Sequence, residues 1–245
     1  MKKAKRDAMH SVSDVWVYLS ASPLLWLTLT LAAYVAAHSL YVRLDASPLA
    51  NPVAIAVAIL VVLLMTTHTS YQTFFDGAQF VHFLLGPAVV ALAVPLRENI
   101  AAVRRALVPM AAALFAGALT AIVSAVAVAW TLGADPVTIK SLIPKSVTAP
   151  IAMGIAEEIG GVPSLTAALV ILTGIIGAMI GSPLLDLMGV KQAAARGFAL
   201  GTAAHGIGTA RSFQESQIAG TFAGIAMGFN GFLTAILVPL LLSLS

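Results

Sequence analysis

The run Pro144-Lys145-Ser146-Val147-Thr148-Ala149-Pro150-Ile151-Ala152 sets one cation and two hydroxyls just ahead of a proline. A proline suits the first turn of a helix, where its missing N–H would have had no partner, so a helix start is expected at Ala149-Pro150. Free N–H groups and the helix dipole make such a start attractive to anions. Capture of a carboxylate by Lys145, Ser146 and Thr148 is the chemistry this spacing suggests. The plainer alternative is a loop lysine beside two capping hydroxyls.

A second cluster, His205-Gly206-Ile207-Gly208-Thr209-Ala210-Arg211, combines an imidazole, a hydroxyl, a guanidinium and two glycines that let backbone amides approach a ligand. Arginine matches a carboxylate with two parallel hydrogen bonds, so His205, Thr209 and Arg211 join the candidate anion site. The alternative here is an Arg211–Glu215 pair one helical turn apart, with His205 a hydrogen-bonded core residue. Glu157 and Glu158, at the expected end of the helix opened by Pro150, are candidates for binding a coupling proton or sodium ion; a solvated pair in a turn is the other reading.

Signatures of catalysis are absent. The sequence holds no His-Glu-x-x-His, no Gly-x-Ser-x-Gly and no Gly-x-x-x-x-Gly-Lys run, and no cysteine. The expectation is a protein that is not an enzyme, has no cofactor or metal, and is not driven directly by ATP.

These candidates must be positioned by membrane helices. With 60% hydrophobic and 9% charged residues and a mean hydropathy of +0.98, the chain cannot cover a soluble globule, whose composition includes about a quarter charged residues. Five uncharged windows, Val15–Val42, Ala46–Phe75, Ala106–Ala134, Ile159–Leu185 and Ser216–Ser245, can each contain a crossing of about 20 residues. Lys2–Arg6, then Arg97, Arg104 and Arg105, then Lys191 and Arg196 are expected on the cytoplasmic side, which requires an even number of crossings between clusters. Two long windows satisfy this between Arg105 and Lys191, so the Ser146–Ala156 stretch should enter and leave by one face or form part of a broken helix. Between Arg6 and Arg97 the apparent count is three, so either Leu84–Leu96 does not span or the polar stretch Thr66–Phe80 makes an extra, interrupted crossing. Half-helices are expected where Gly86-Pro87, Ala149-Pro150 and His205–Thr209 break apolar runs. Gly220, Gly224 and Gly228, and separately Gly177 and Gly181, form smooth helix stripes suited to close packing, within one subunit or in a homodimer. The net charge of +3 and pI near 9.4 serve orientation in the membrane and do not indicate nucleic-acid binding.

Leu84-Leu85-Gly86-Pro87-Ala88-Val89-Val90-Ala91-Leu92-Ala93-Val94-Pro95-Leu96, Pro144–Ala152 and His205–Arg211, in that order, resemble the LrgB/CidB family. Further likeness lies in Gly160–Ala167, Thr173–Ala178 and Ala226-Met227-Gly228-Phe229-Asn230-Gly231, from about residue 52 to the C-terminus. Phe74-Phe75-Asp76-Gly77 replaces an expected double glycine, and the first twenty residues have no counterpart.

The expected fold is an all-α polytopic membrane protein with discontinuous helices, built as two inverted repeats (about 15–134 and 135–245), since Pro87–Ala93 and Pro150–Ala156 are alike in pattern, with elevator-like transport and scaffold domains. Residues 1–14 would be a cytoplasmic basic N-terminus, kept in the mature protein, and 15–245 a single LrgB-like membrane domain. The family's holin-like and antiholin-like bacterial members are linked to murein hydrolase activity and lysis, and its plastid members are glycolate/glycerate translocators. Pro87 and Asn230 join the candidate substrate residues by motif membership. The expected function is secondary transport of glycolate-, glycerate- or pyruvate-like anions in a bacterial inner membrane, with a holin/antiholin-like channel or lysis regulator as the alternative. A homodimer, and a small LrgA/CidA-like membrane partner, are the implied associations.

Overall fold

The computed structural model describes residues 22–91 and 93–243; the expected basic segment 1–14 lies outside them. The described residues are helical, and their contacts separate into two units that part between Ala91 and Leu92.

In the first unit, α1 (Pro23–Arg43) is long and apolar enough to cross a membrane, whereas α2 (Pro52–Thr67) has 16 residues, short of the roughly 20 a crossing needs. Asn51 caps α2 by accepting from the amides of Val53 and Ala54 at 2.9 and 3.1 Å. The polar stretch Thr66–Phe80 takes in the end of α2, a turn and most of the next helix. Thr66 and Thr67 donate back to Val62 and Leu63 carbonyls within α2, which removes their need for water. The chain then turns at His68 (φ 52°) and resumes as α3 (Tyr71–Phe83). Phe74-Phe75-Asp76-Gly77, where a double glycine was expected, lies on continuous helix. Phe74 meets the buried Trp26 edge-on at 5.9 Å, and a Cβ on Gly77 would fall on the Pro23 carbonyl. Gly86 and Pro87 fall in the short α4 (Leu85–Ala91).

The second unit holds three of the four long apolar helices: α7 (Leu107–Thr131), α10 (Pro163–Leu187) and α12 (Gln217–Ser243). Two short helices, α5 (Ala93–Glu98) and α6 (Ile100–Arg105), precede α7 and carry Arg97, Arg104 and Arg105. Between α7 and α10 lie only α8 (Pro136–Leu142) and α9 (Ala149–Glu158), too short to span. Asp135 caps α8, and hydrogen bonds from the Thr138 hydroxyl and from the Thr138 and Val137 amides hold its carboxyl below the ordinary range. Ser141, at the end of α8, accepts from the Val162 amide at 2.8 Å, and its carbonyl accepts from the Thr166 hydroxyl at 2.9 Å. The end of α8 is thereby tied to the start of α10, and α9 opens at Ala149-Pro150 as the proline spacing indicated.

The helix α11 (Ala193–Glu215) is two arms. Ala204 (φ −125°, ψ 17°) and His205 (φ 42°, ψ −129°) leave helical geometry, and the chain doubles back: Arg196 near one end and Glu215 at the other meet at 3.0 Å. A straight helix would separate residues 19 apart by about 28 Å at about 1.5 Å per residue. A Cβ on Gly208 would strike the Leu200 carbonyl, so the arms touch. Gly197 and Gly201 of the first arm abut Ala219 and Ala223 of α12, and Gly174, Gly177 and Gly181 of α10 abut His205, Ala204 and Leu200. The Gly177/Gly181 stripe thus packs within the chain. Along α12, Gly220 meets Phe213 while Gly228 faces open space.

The open ends of the arms are held by charge. Arg196 donates to Glu215 at 3.0 Å and to Asp186 at 2.6 Å, and Ser182 donates to Glu215. Arg196 and Glu215 are largely buried, at 13% and 18% side-chain exposure. Burial pushes the Glu215 carboxyl, which precedes the long span of α12, upward, but the Arg196 and Ser182 hydrogen bonds win and hold it below its usual range. Its stabilisation is accordingly full above the ordinary glutamate pKa and lost as pH falls through the lowered folded value. Arg196→Ala is expected to cost about 2–3 kcal/mol, somewhat less than breaking a fully buried pair, measured by denaturation in detergent at neutral pH. Glu215→Gln should flatten the loss of stability on acidification.

Candidate functional site

A cleft of about 1080 Å³ lies in the second unit. One face of α7 lines it through Pro109, Met110, Ala113, Gly117 and Thr120, residues three and four apart that share a side of the helix. The first arm of α11 supplies Phe198, Ala199, Thr202 and Ala203, and α10 supplies Thr173, Gly177, Leu185 and, just past its end, Met188.

The contacts of Gly117 with Thr202, of Gly177 with Ala204 and of Gly181 with Leu200 fix the level of the three walls. The start of α7, the end of α10 and the start of α11 therefore lie at one end of the cleft, beside Met188 and Gln192. From Pro109 to Thr120 it runs roughly 17 Å along α7, at about 1.5 Å per residue.

Lys145 and Ser146 stand at the inner end. Lys145 donates to the Ser146 hydroxyl at 3.2 Å, and among the described lining residues Lys145 alone is charged. Beyond them the path is filled. Ala118 and Ile122 of α7, Ile143 and Val147 of the loop, Val170 of α10 and Leu237 of α12 form a buried apolar cluster. Lys145 itself is half-buried, between the cleft and this cluster.

Asn230, midway along α12, ties this end together. Its amide nitrogen donates to the carbonyl of Ser146 at 3.2 Å and to that of Thr202 at 3.0 Å. One side chain so links the loop before α9 to the first arm of α11 just before its break. Thr148 opens α9 without a side-chain cap hydrogen bond, which leaves its first-turn amides beside Lys145 and Ser146.

The other candidates are distributed differently. His205 is buried at the break, its Nε2 paired with the Val170 carbonyl at 2.9 Å, and Thr209 donates to the His205 carbonyl at 2.8 Å. Neither lines the cleft. Arg211 lies in the last turns of the second arm and donates to Gln214 at 3.3 Å, away from the cleft lining. Glu157 and Glu158 are exposed at the end of α9, and Pro87 is exposed in the first unit. Sequence reasoning did not single out Thr120, Thr173 and Thr202, which line the cleft, or Arg196 as a clamp. A signal existed for one of these groups: Gly197-Phe198-Ala199-Leu200-Gly201 carries the same small-residue spacing as the stripes that were noticed. Among the described residues no three His, Asp or Glu side chains gather as a metal would require.

Comparison with known proteins adds the following. The profile of the LrgB-like family matches residues 30–244. The chain is 35% identical to the uncharacterised protein YwbG of Bacillus subtilis (strain 168) over 89% of its length and 96% of that protein's. It is 30% identical to a Staphylococcus epidermidis protein named holin-like protein CidB, over 93% and 98% of the two chains. It is 28% identical to a Bacillus mycoides protein named antiholin-like protein LrgB, over 89% and 95%. No solved structure matches.

Proposed function

Since this chain belongs to the LrgB-like family and is an integral membrane protein, we propose that it is a secondary carrier of small organic acid anions, such as glycolate, glycerate or pyruvate, acting by alternating access in a bacterial inner membrane. The observation that carries this reading is the cleft that begins at one end of the long helices and stops at Lys145 and Ser146 against a buried apolar cluster. A carrier needs a site reached from one face at a time. A pore needs a path past it, and Ile122, Ile143, Val147 and Val170 stand in that path.

The chemistry suits a small monoanion. Lys145 supplies the charge, the Ser146 hydroxyl a hydrogen bond, and the opening turn of α9 its amides and dipole. Interrupted helices meeting near the middle of the membrane are where secondary carriers hold their substrates. Movement of the loop and α11 against α7 would open the other side, and at that contact Gly117 of α7 sets no side chain against Thr202. The exposed Gly228 leaves room for a second copy of the chain along α12.

A second reading draws on the relatives named holin-like and antiholin-like. In it the protein acts on lysis and murein hydrolase export through its assembly, with or without a small LrgA/CidA-like partner, and substrate binding is incidental. Uptake into liposomes containing the purified protein separates the two. The carrier reading expects saturable uptake of labelled glycolate or glycerate with sucrose excluded. Unselective leakage of sucrose with glycolate would replace it by the holin-like reading.

A further inference from the structure

The amide of Asn230 is only half used. The residue is 1% exposed, and both of its contacts belong to the nitrogen, which faces the Ser146 and Thr202 carbonyls. Two carbonyls on that side settle which end is which, since turning the amide over would set oxygen against oxygen. The opposite end is therefore the oxygen. It is buried and has no hydrogen-bond partner among the described residues. Buried acceptors left without a donor are rare and call for a physical reason.

The surroundings are rich in acceptors. The Thr202 carbonyl lies just before the break at Ala204 and His205, and Asn230 donates to it there. The same break ends the first arm of α11, and the C-terminal end of a helix carries partial negative charge. The Ser146 carbonyl, from the loop before α9, lies at the same amide. Oxygen atoms of side-chain amides and interrupted backbone are the ligands of hard cations. With no carboxylate in the set, and with the Lys145 ammonium on the same loop, a divalent ion is disfavoured.

We propose that Asn230 Oδ1, with carbonyl oxygens at the end of the first arm of α11 and in the loop before α9, binds a sodium ion that holds the two interrupted segments together. The site stands on this geometry, and its purpose, coupling to anion movement, rests on the carrier reading. It assigns the coupling ion to the interior of the protein, while Glu157 and Glu158 are exposed. An anion held by Lys145 would lie close to the cation, so each should strengthen the other's binding.

The test is equilibrium binding of radioactive sodium to the purified full chain in choline chloride at constant ionic strength, with and without glycolate. The expected result is saturable binding of one sodium per chain, displaced by unlabelled sodium and not by choline, and weakened at least tenfold in Asn230→Ala. Asn230→Ser, whose hydroxyl can still donate to one of the two carbonyls, takes its place if the alanine variant does not fold. Absence of saturable binding to the wild-type chain under both conditions would overturn the proposal. So would undiminished binding in a folded Asn230 variant. Glycolate uptake is a separate readout: its absence would sink the carrier reading and leave sodium binding to decide the site.

Discussion

Gly201→Ala is expected to destabilise the protein by about 3 kcal/mol or more, whereas Gly228→Ala, the same substitution on the neighbouring helix, is expected to stabilise slightly. A Cβ on Gly201 would fall on the backbone carbonyl of Ala223, and no rotamer change relieves a clash with backbone. The first arm would have to move off α12 over its whole length, because Gly197 makes the same contact with Ala219 one turn earlier. Overpacking typically costs about 1–3 kcal/mol where side chains can yield, and here they cannot. At Gly228 nothing lies within 4 Å of the added methyl group, so only helix propensity acts, favouring alanine by up to about 1 kcal/mol. Thermal or denaturant unfolding in one detergent reads both. Equal effects at the two positions would refute the packing of α11 on α12.

The second large effect is functional. Lys145→Ala is expected to reduce the efficiency of anion uptake about a hundredfold, while leaving the fold intact. Among the described residues lining the cleft it alone is charged, so no neighbouring lysine or arginine of the lining substitutes for it. A hydrogen bond to a charged group contributes about 1.5–3 kcal/mol, and about 2.7 kcal/mol corresponds to a hundredfold. Lys145→Arg should retain part of the activity, since it keeps the charge and changes only its shape and reach. Arg211→Ala is expected to transport normally, because Arg211 lies away from the cleft lining beside Gln214.

That contrast between two cations marks how far the residues themselves could be read. Lys145 and Ser146 were legible because a hydroxyl and a cation before Ala149-Pro150 imply a helix start, which is local, and α9 begins there. The break near His205 was legible for the same reason, since Gly206 and Gly208 loosen the helix around it. What the break does was not. Whether a chain bends at a broken helix or folds back on it is decided by contacts between residues far apart in sequence, here Arg196 with Glu215 and Gly208 with Leu200. The place of Arg211 was not legible either, since its spacing from His205 counts along the chain while the second arm returns toward the Arg196–Glu215 end. Asn230 entered only through family likeness: a lone asparagine in an apolar helix gives no sign of the two carbonyls it joins, 84 and 28 residues away in sequence. Polarity alone was also a poor guide at Thr66 and Thr67. Threonine hydroxyls return to their own helix and need no wet cavity.

Concentration-dependent uptake of labelled glycolate into liposomes, wild type beside Lys145→Ala and Lys145→Arg at equal incorporation, tests the central claim that an anion is carried from the Lys145 end of this cleft. Saturation is expected in the wild type, with a loss of about a hundredfold in efficiency for Lys145→Ala and partial retention for Lys145→Arg. Uptake of the same rate and saturation in all three proteins would contradict it, because an anion that ignores the lining's charged group does not pass through this site.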